Sequence, residues 1–147
     1  MTSFALRPAR ESESGVIKDL IHLTRLNPMG LDWKRFVVAV NEQDQVMGIG
    51  QLKPHGAEVV ELASIAVFPE YRGQRVARAI IEHLLKVSSR PLYLMCESSN
   101  EPLYAKFGFH AIPFDEMPRY FQRISKLAGL VTTLACREES LLVMKLQ

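Results

Sequence analysis

Ser64-Ile65-Ala66-Val67-Phe68-Pro69-Glu70-Tyr71-Arg72-Gly73-Gln74-Arg75-Val76-Ala77-Arg78-Ala79 passes from an apolar strand, through a turn, into a helix rich in small and basic residues. The start of a helix leaves its first backbone N–H groups without intrahelical partners and carries a partial positive charge. Such an end binds phosphate well where the chain allows close approach. Gly73 permits that approach, Ala77 keeps the helix slim, and Arg72 and Arg75 add positive charge. On chemistry alone two readings stand, an anion site or an ordinary strand-to-helix turn with solvated arginines.

Before this passage, Phe4 to Arg7 reads as a short strand closed by Pro8. A helix then opens at Ser12 or Ser14 and carries Val16, Ile17, Leu20, Ile21, Leu23 and Leu26 at helical spacing. Asn27-Pro28-Met29-Gly30 ends it, and Leu31 to Arg35 holds one further helical turn. Phe36 to Val40, Gln45 to about Lys53 and Ala57 to Val67 are three strands joined by short polar turns, expected to form an antiparallel meander. The helix introduced by Arg72-Gly73 reaches Val87, with Val76, Ile80, Leu84 and Val87 as its buried stripe. Pro91 to Met95 is the next strand, and strand-helix-strand order implies parallel pairing. A short helix from Glu101 to Phe107, capped by Ser99 or Asn100, leads to a strand beginning at Phe109. A helix from Pro118 to Leu127, with Gly129 beyond its end, and a terminal strand from Leu141 to Leu146 complete the chain. The fold class is therefore mixed α/β, one sheet flanked by helices, as a single domain over residues 1–147.

Composition narrows the function classes. The 147 residues are 48% hydrophobic and 23% charged, a globular composition rather than a disordered one. Eighteen Lys and Arg against sixteen Asp and Glu leave +2, too near neutral for a dedicated nucleic-acid binder. No apolar run approaches the ~20 residues of a membrane span, and Met1 to Pro8 lacks the apolar stretch of a secretory signal. Cys96 and Cys136, with no metal-ligand spacing around them, read as reduced thiols. A cytoplasmic protein without metal, nucleic-acid or membrane partners is the expectation. The four histidines, His22, His55, His83 and His110, are scattered without triad or metal spacing, and most are expected to be structural or exposed. A nucleotide-triphosphate site is disfavoured, because no Lys-Ser/Thr pair follows the glycine.

The stretch around Arg72-Gly73-Gln74-Arg75-Val76-Ala77 resembles the acyl-CoA-binding motif of the GNAT superfamily of N-acyltransferases, Arg/Gln-x-x-Gly-x-Gly/Ala. Arg72, Val76 and Ala77 fit it, whereas Arg75 stands where the motif carries glycine. Asn100-Glu101-Pro102-Leu103-Tyr104-Ala105-Lys106-Phe107-Gly108-Phe109 is similar to a second family segment, Asn-x-x-x-x-Tyr-x-x-x-Gly-Phe. The resemblance extends to the element order over nearly the whole chain. It implies a mostly antiparallel sheet that splays at the acyl-CoA site, with acetyl-CoA as co-substrate. The backbone of Ile65, Ala66 and Val67 would meet the pantetheine arm, and the amides of Gly73, Gln74, Arg75, Val76 and Ala77 would hold the pyrophosphate. Asn100 would touch the cofactor, and Tyr104 would sit beside its sulfur. An acceptor channel is implied along residues 27–36, with Trp33, and residues 114–119, where Asp115 and Glu116 either attract an ammonium group or form a solvated loop.

Acyl transfer to an amine needs a base for the ammonium, with an ordinary pKa of about 10.4, and a proton for the departing thiolate. Strand alternation places Val59, Glu61, Ala63, Ile65 and Val67 on one face, unless a bulge near Ser64 to Ala66 changes the register. Glu61 is thus a carboxylate among apolar neighbours, a position where the resembled family often has its base; a strand-end glutamate reaching solvent or pairing with an arginine is the structural alternative. Glu58, on the opposite face, is the weaker candidate. The Tyr104 phenol suits the acid role, against a core tyrosine beside Leu103 and Phe107. Cys96, near the implied thioester, is expected to be a buried thiol rather than a nucleophile, so direct transfer in a ternary complex is preferred. The protein is expected to work as a monomer or as a homodimer through the terminal strand. Two function classes follow: an N-acetyltransferase acting on a primary amine, or a non-catalytic acyl-CoA-binding regulatory module.

Overall fold

The computed structural model describes residues 3–135 and 140–147. Seven strands form one mixed sheet in the order β1-β2-β3-β4-β5-β7-β6. They are β1 (Ala5–Pro8), β2 (Phe36–Val40), β3 (Val46–His55), β4 (Val59–Val67), β5 (Leu92–Glu97), β6 (His110–Ala111) and β7 (Leu141–Leu146). Four α-helices accompany them: α1 (Ser14–Leu23), α2 (Val76–Val87), α3 (Glu101–Ala105) and α4 (Arg119–Ala135). This is the expected α/β class and element order. The chain gathers into two compact units, Met1–Lys53 with Leu62–Ser88, and Pro54–Glu61 with Ser89–Gln147.

In the first unit, β1 pairs antiparallel with β2, and β2 with β3. The helical spacing read in α1 buries Ile17, Leu20 and Ile21 against Phe36, Val38, Val40, Ile49 and Ala66. Each such side chain contributes about 1.5–3 kcal/mol on leaving water. The cap of α1 is neither Ser12 nor Ser14 but Glu13, because a 3-10 turn over Glu11–Glu13 precedes the helix. The α2 stripe is Val76, Ile80, Ile81 and Leu84. Val87 departs from the expectation: as the last residue of the helix it has no following turn over it and is 61% exposed. Against α2, β3 presents Gly50, where a Cβ would lie 2.5 Å from Ile80 Cγ2 and 2.8 Å from Ile65 Cδ1. Overpacking of this kind costs about 1–3 kcal/mol. Gly50→Ala is therefore expected to lower the melting temperature by several degrees, and an unchanged melt would show that α2 is free to shift.

In the second unit, β4 and β5 run parallel and share the pair Glu61–Tyr93, whereas β5 and β7 are antiparallel over six pairs. Tyr93, Ile112, Phe121 and Val143 form its buried cluster, with Val59, Met95, Met117 and Tyr120 packed on it. The terminal strand is paired on both sides, since Lys145 and Met144 also face His110 and Ala111 of β6, so those two positions offer no free edge for a dimer. α4 continues past Leu127 and through Gly129 to Ala135. A glycine inside a helix costs only about 1 kcal/mol, too little to end a helix supported elsewhere. Cys136 lies outside the described residues. No described helix is long and apolar enough to cross a membrane.

Candidate active site

The end of β4 and the loop after it carry the candidate cofactor-binding residues of the first unit. Ser64 has a left-handed backbone, φ 60°, which breaks the strand alternation at the place where a bulge was foreseen. Gln51, fully buried on β3, donates its Nε2 to Ser64 Oγ at 2.9 Å and holds the irregularity in place. Beyond it Ala66 and Val67 are both buried, so the one-face reading of Val59 to Val67 does not persist through Ser64. A 3-10 turn, Pro69–Tyr71, follows, and α2 begins three residues later than Arg72-Gly73 implied, at Val76.

The four residues before α2 bend the chain with two left-handed positions, Gly73 at φ 80° and Arg75 at φ 64°. Arg75 is the N-cap of α2 and occupies the place where the resembled motif has glycine. The requirement for φ > 0 explains glycine there, since only glycine adopts it without strain. Relieving that strain should outweigh the added freedom of the unfolded chain. Arg75→Gly is accordingly expected to hold or raise stability, by up to about 1 kcal/mol, and a lower melting temperature would contradict this. Arg72 folds its Nε onto Val67 O at 3.3 Å, fastening the loop to the strand it leaves. The first backbone bond of α2 runs from Ala79 N to Arg75 O at 3.1 Å. The amides of Val76 and Ala77, ahead of it, are those a helix leaves unsatisfied. A Cβ on Gly73 would meet nothing within 4 Å, so the loop is open where a diphosphate would approach. Gln74 Oε1 is buried without a hydrogen-bond partner, an acceptor suited to a hydroxyl or amide N–H of a cofactor. Loop, amides and orphan acceptor all fit an acyl-CoA.

The second unit brings together another group of candidate residues. Glu61 is only 8% exposed, and its Oε1 lies 2.7 Å from Nε2 of His55, itself well covered. The His55 ring stacks on Tyr120 with centroids 3.6 Å apart and planes at 17°, and meets the edge of Phe121. The Tyr120 phenol is raised above its ordinary value, first by burial and then by the Glu61 charge, and so keeps its proton. Sequence reading had placed His55 among scattered structural histidines. Sequence spacing ends this strand at about Lys53, whereas β3 runs on through His55 and the turn lies over residues 56–58, so His55 and Glu61, six apart, come into contact across it.

Tyr104, on α3, packs edge-on against Phe109. Burial, and then the neighbouring Cys96, push its phenol up to about 12. Burial, followed by Glu101 and Glu97, pushes the Cys96 thiol up to about 11, which keeps it protonated and a poor nucleophile. Its Sγ lies 3.7 Å from Met144 Sδ. Asn100, one of the two expected caps, is the exposed N-cap residue of α3, although its side chain makes no capping bond. Trp33 packs on the first unit's hydrophobic cluster, and Asp115 and Glu116 are exposed on a 3-10 turn. Among the described residues no group of three His, Cys, Asp or Glu is placed to hold a metal ion.

Residues 32–111, more than half of the chain, match the acetyltransferase (GNAT) domain, and the chain belongs to that family. Members are acyl-CoA-dependent acyltransferases. Among solved structures, N-acetylglutamate synthase from Neisseria gonorrhoeae, complexed with coenzyme A and N-acetyl-glutamate, is similar over 100% of this chain, with a TM-score of 0.75 and 17% identity. This chain spans only 36% of that protein's length. Rv2747 from Mycobacterium tuberculosis, in complex with CoA, is similar over 95% of this chain and 97% of its own, with a TM-score of 0.70 and 23% identity. The ribosomal-protein-S18-alanine N-acetyltransferase from Escherichia coli is similar over 98% and 93% respectively, with a TM-score of 0.66 and 16% identity. At such identities the likeness is one of fold. No match among curated proteins reaches significance.

Proposed function

We propose that residues 1–147 are one N-acetyltransferase domain that moves an acetyl group from acetyl-CoA to a primary amine by direct attack in a ternary complex. The observation that carries this reading is the doubly left-handed loop, Gly73 and Arg75, opening onto the start of α2. On this reading the backbone of Ile65, Ala66 and Val67 lies along the pantetheine arm. The amides of Gly73, Gln74, Arg75, Val76 and Ala77 hold the pyrophosphate, with charge from Arg72 and Arg75, and Asn100 touches the cofactor. Acetyl-CoA supplies the activated acyl group. Glu61 takes the proton of the amine as the N–C bond forms, and Tyr104 hydrogen-bonds the sulfur and gives it a proton as the C–S bond breaks. The protonated state of Cys96 supports direct transfer over an acyl-cysteine route.

The acceptor class is open to a panel. Two of the similar structures concern an amino-acid product and a protein alanine. The test is therefore acetyl-CoA with small amines, polyamines, amino acids, and peptides bearing a free N-terminus or lysine, read by thiol release. CoA binding followed by calorimetry accompanies it. Turnover with any member of the panel is the expected result. CoA binding without turnover would favour a regulatory module, and no binding at millimolar CoA would defeat the proposal.

A further inference from the structure

We propose that His55 is a positioning residue for the reaction, holding the Glu61 carboxylate by a hydrogen bond from its Nε2–H; this rests on Glu61 being the base. The 2.7 Å separation is that of a charge-assisted bond. An ionised carboxylate only accepts, so the proton of the pair is on Nε2 and the ring is the donor. The ring cannot turn freely, because Tyr120 lies flat on one face and Phe121 meets it edge-on. Both partners of the pair are nearly closed to water, which strengthens the bond and fixes its direction.

A clamped carboxylate keeps its orientation while the attacking amine transfers its proton to it: the N–H bond breaks, the O–H bond forms, and His55 exchanges nothing. The same contact makes the base sensitive to acid. An imidazolium at this place would hold the carboxylate charge more tightly and weaken Glu61 as a proton acceptor. Among the described residues, the titratable groups facing the ring are Glu61 from β4 and Tyr120 from α4. One layer further, Tyr93 of β5 lies against Phe121, and Lys145 of β7 is over the Tyr93 ring. Tyr120, raised by burial and by the Glu61 charge, keeps its proton.

The test compares His55→Gln with His55→Leu in the full chain, using the best amine from the panel. Gln keeps an N–H donor, and kcat/KM at the plateau is expected to stay within about fivefold, whereas Leu loses tenfold or more. In His55→Gln the acidic limb of the rate–pH profile is expected to move, because the contact on the carboxylate is changed. An unmoved limb, or equal losses in Gln and Leu variants of unchanged melting temperature, would overturn the proposal. A hundredfold loss in His55→Gln would also overturn it, by making His55 the base itself. Nitrogen-15 spectra of the unmutated protein give a reading free of activity. The Nε2–H tautomer is expected, and the Nδ1–H tautomer would refute the bond even if no amine were acetylated.

Discussion

Glu61→Gln is expected to lower kcat/KM for amine acetylation by about 10²–10⁴-fold, the range by which a positioned general base accelerates proton transfer. The substitution keeps the shape of the side chain and offers Oε1 to His55 as before, so the loss is one of basicity rather than packing. Affinity for CoA should hardly change, because the loop before α2 is formed by other residues. The acidic limb of the rate–pH profile should vanish or move with the base removed. A variant that retains full activity with an unchanged limb would show that the amine loses its proton elsewhere.

Tyr104→Phe is expected to reduce turnover by more than tenfold, again with little change in the affinity for CoA. The phenol, held near 12, carries its proton at every pH where an amine is acetylated, so the basic limb of the rate should not belong to it. The same residue has a consequence for stability. Its folded value, about 12, lies above the ordinary 10, so the folded state holds the proton more tightly than the unfolded one. That contribution is present in full below pH 10 and is lost as pH rises towards 12, about 2–3 kcal/mol in all. Cys96, also raised, acts in the same direction. Alkaline melts of the wild type should therefore fall more steeply than those of Tyr104→Phe. Coincident curves would mean that the phenol is not buried as described, and an unaltered turnover rate would exclude its role as acid.

Much of the candidate site was legible along the chain because its parts are local. The strand, tight turn and helix from Ser64 to Ala79 announce themselves through residue types a few positions apart, and so does the short helix that carries Tyr104. Where expectation failed, the cause was also local but conformational. A glycine-poor loop hid the left-handed position of Arg75, and Gly129 was read as a stop although the helix runs through it. Trp33 packs within the first unit, and Asp115 and Glu116 lie on an exposed turn of the second; their residue types alone point to an acceptor channel.

From sequence alone came the α/β order of elements, the strand that breaks near Ser64, and the turn into α2, since periodicity and turn chemistry act over a few residues. Only the tertiary structure set the His55–Glu61 pair on its Tyr120 platform, because that contact depends on a hairpin register and on a helix some sixty residues further along. Short-range preferences specify which face a residue takes within its own element. They do not specify which side chain from another element will lie against it, and that neighbour decides what a buried carboxylate can do.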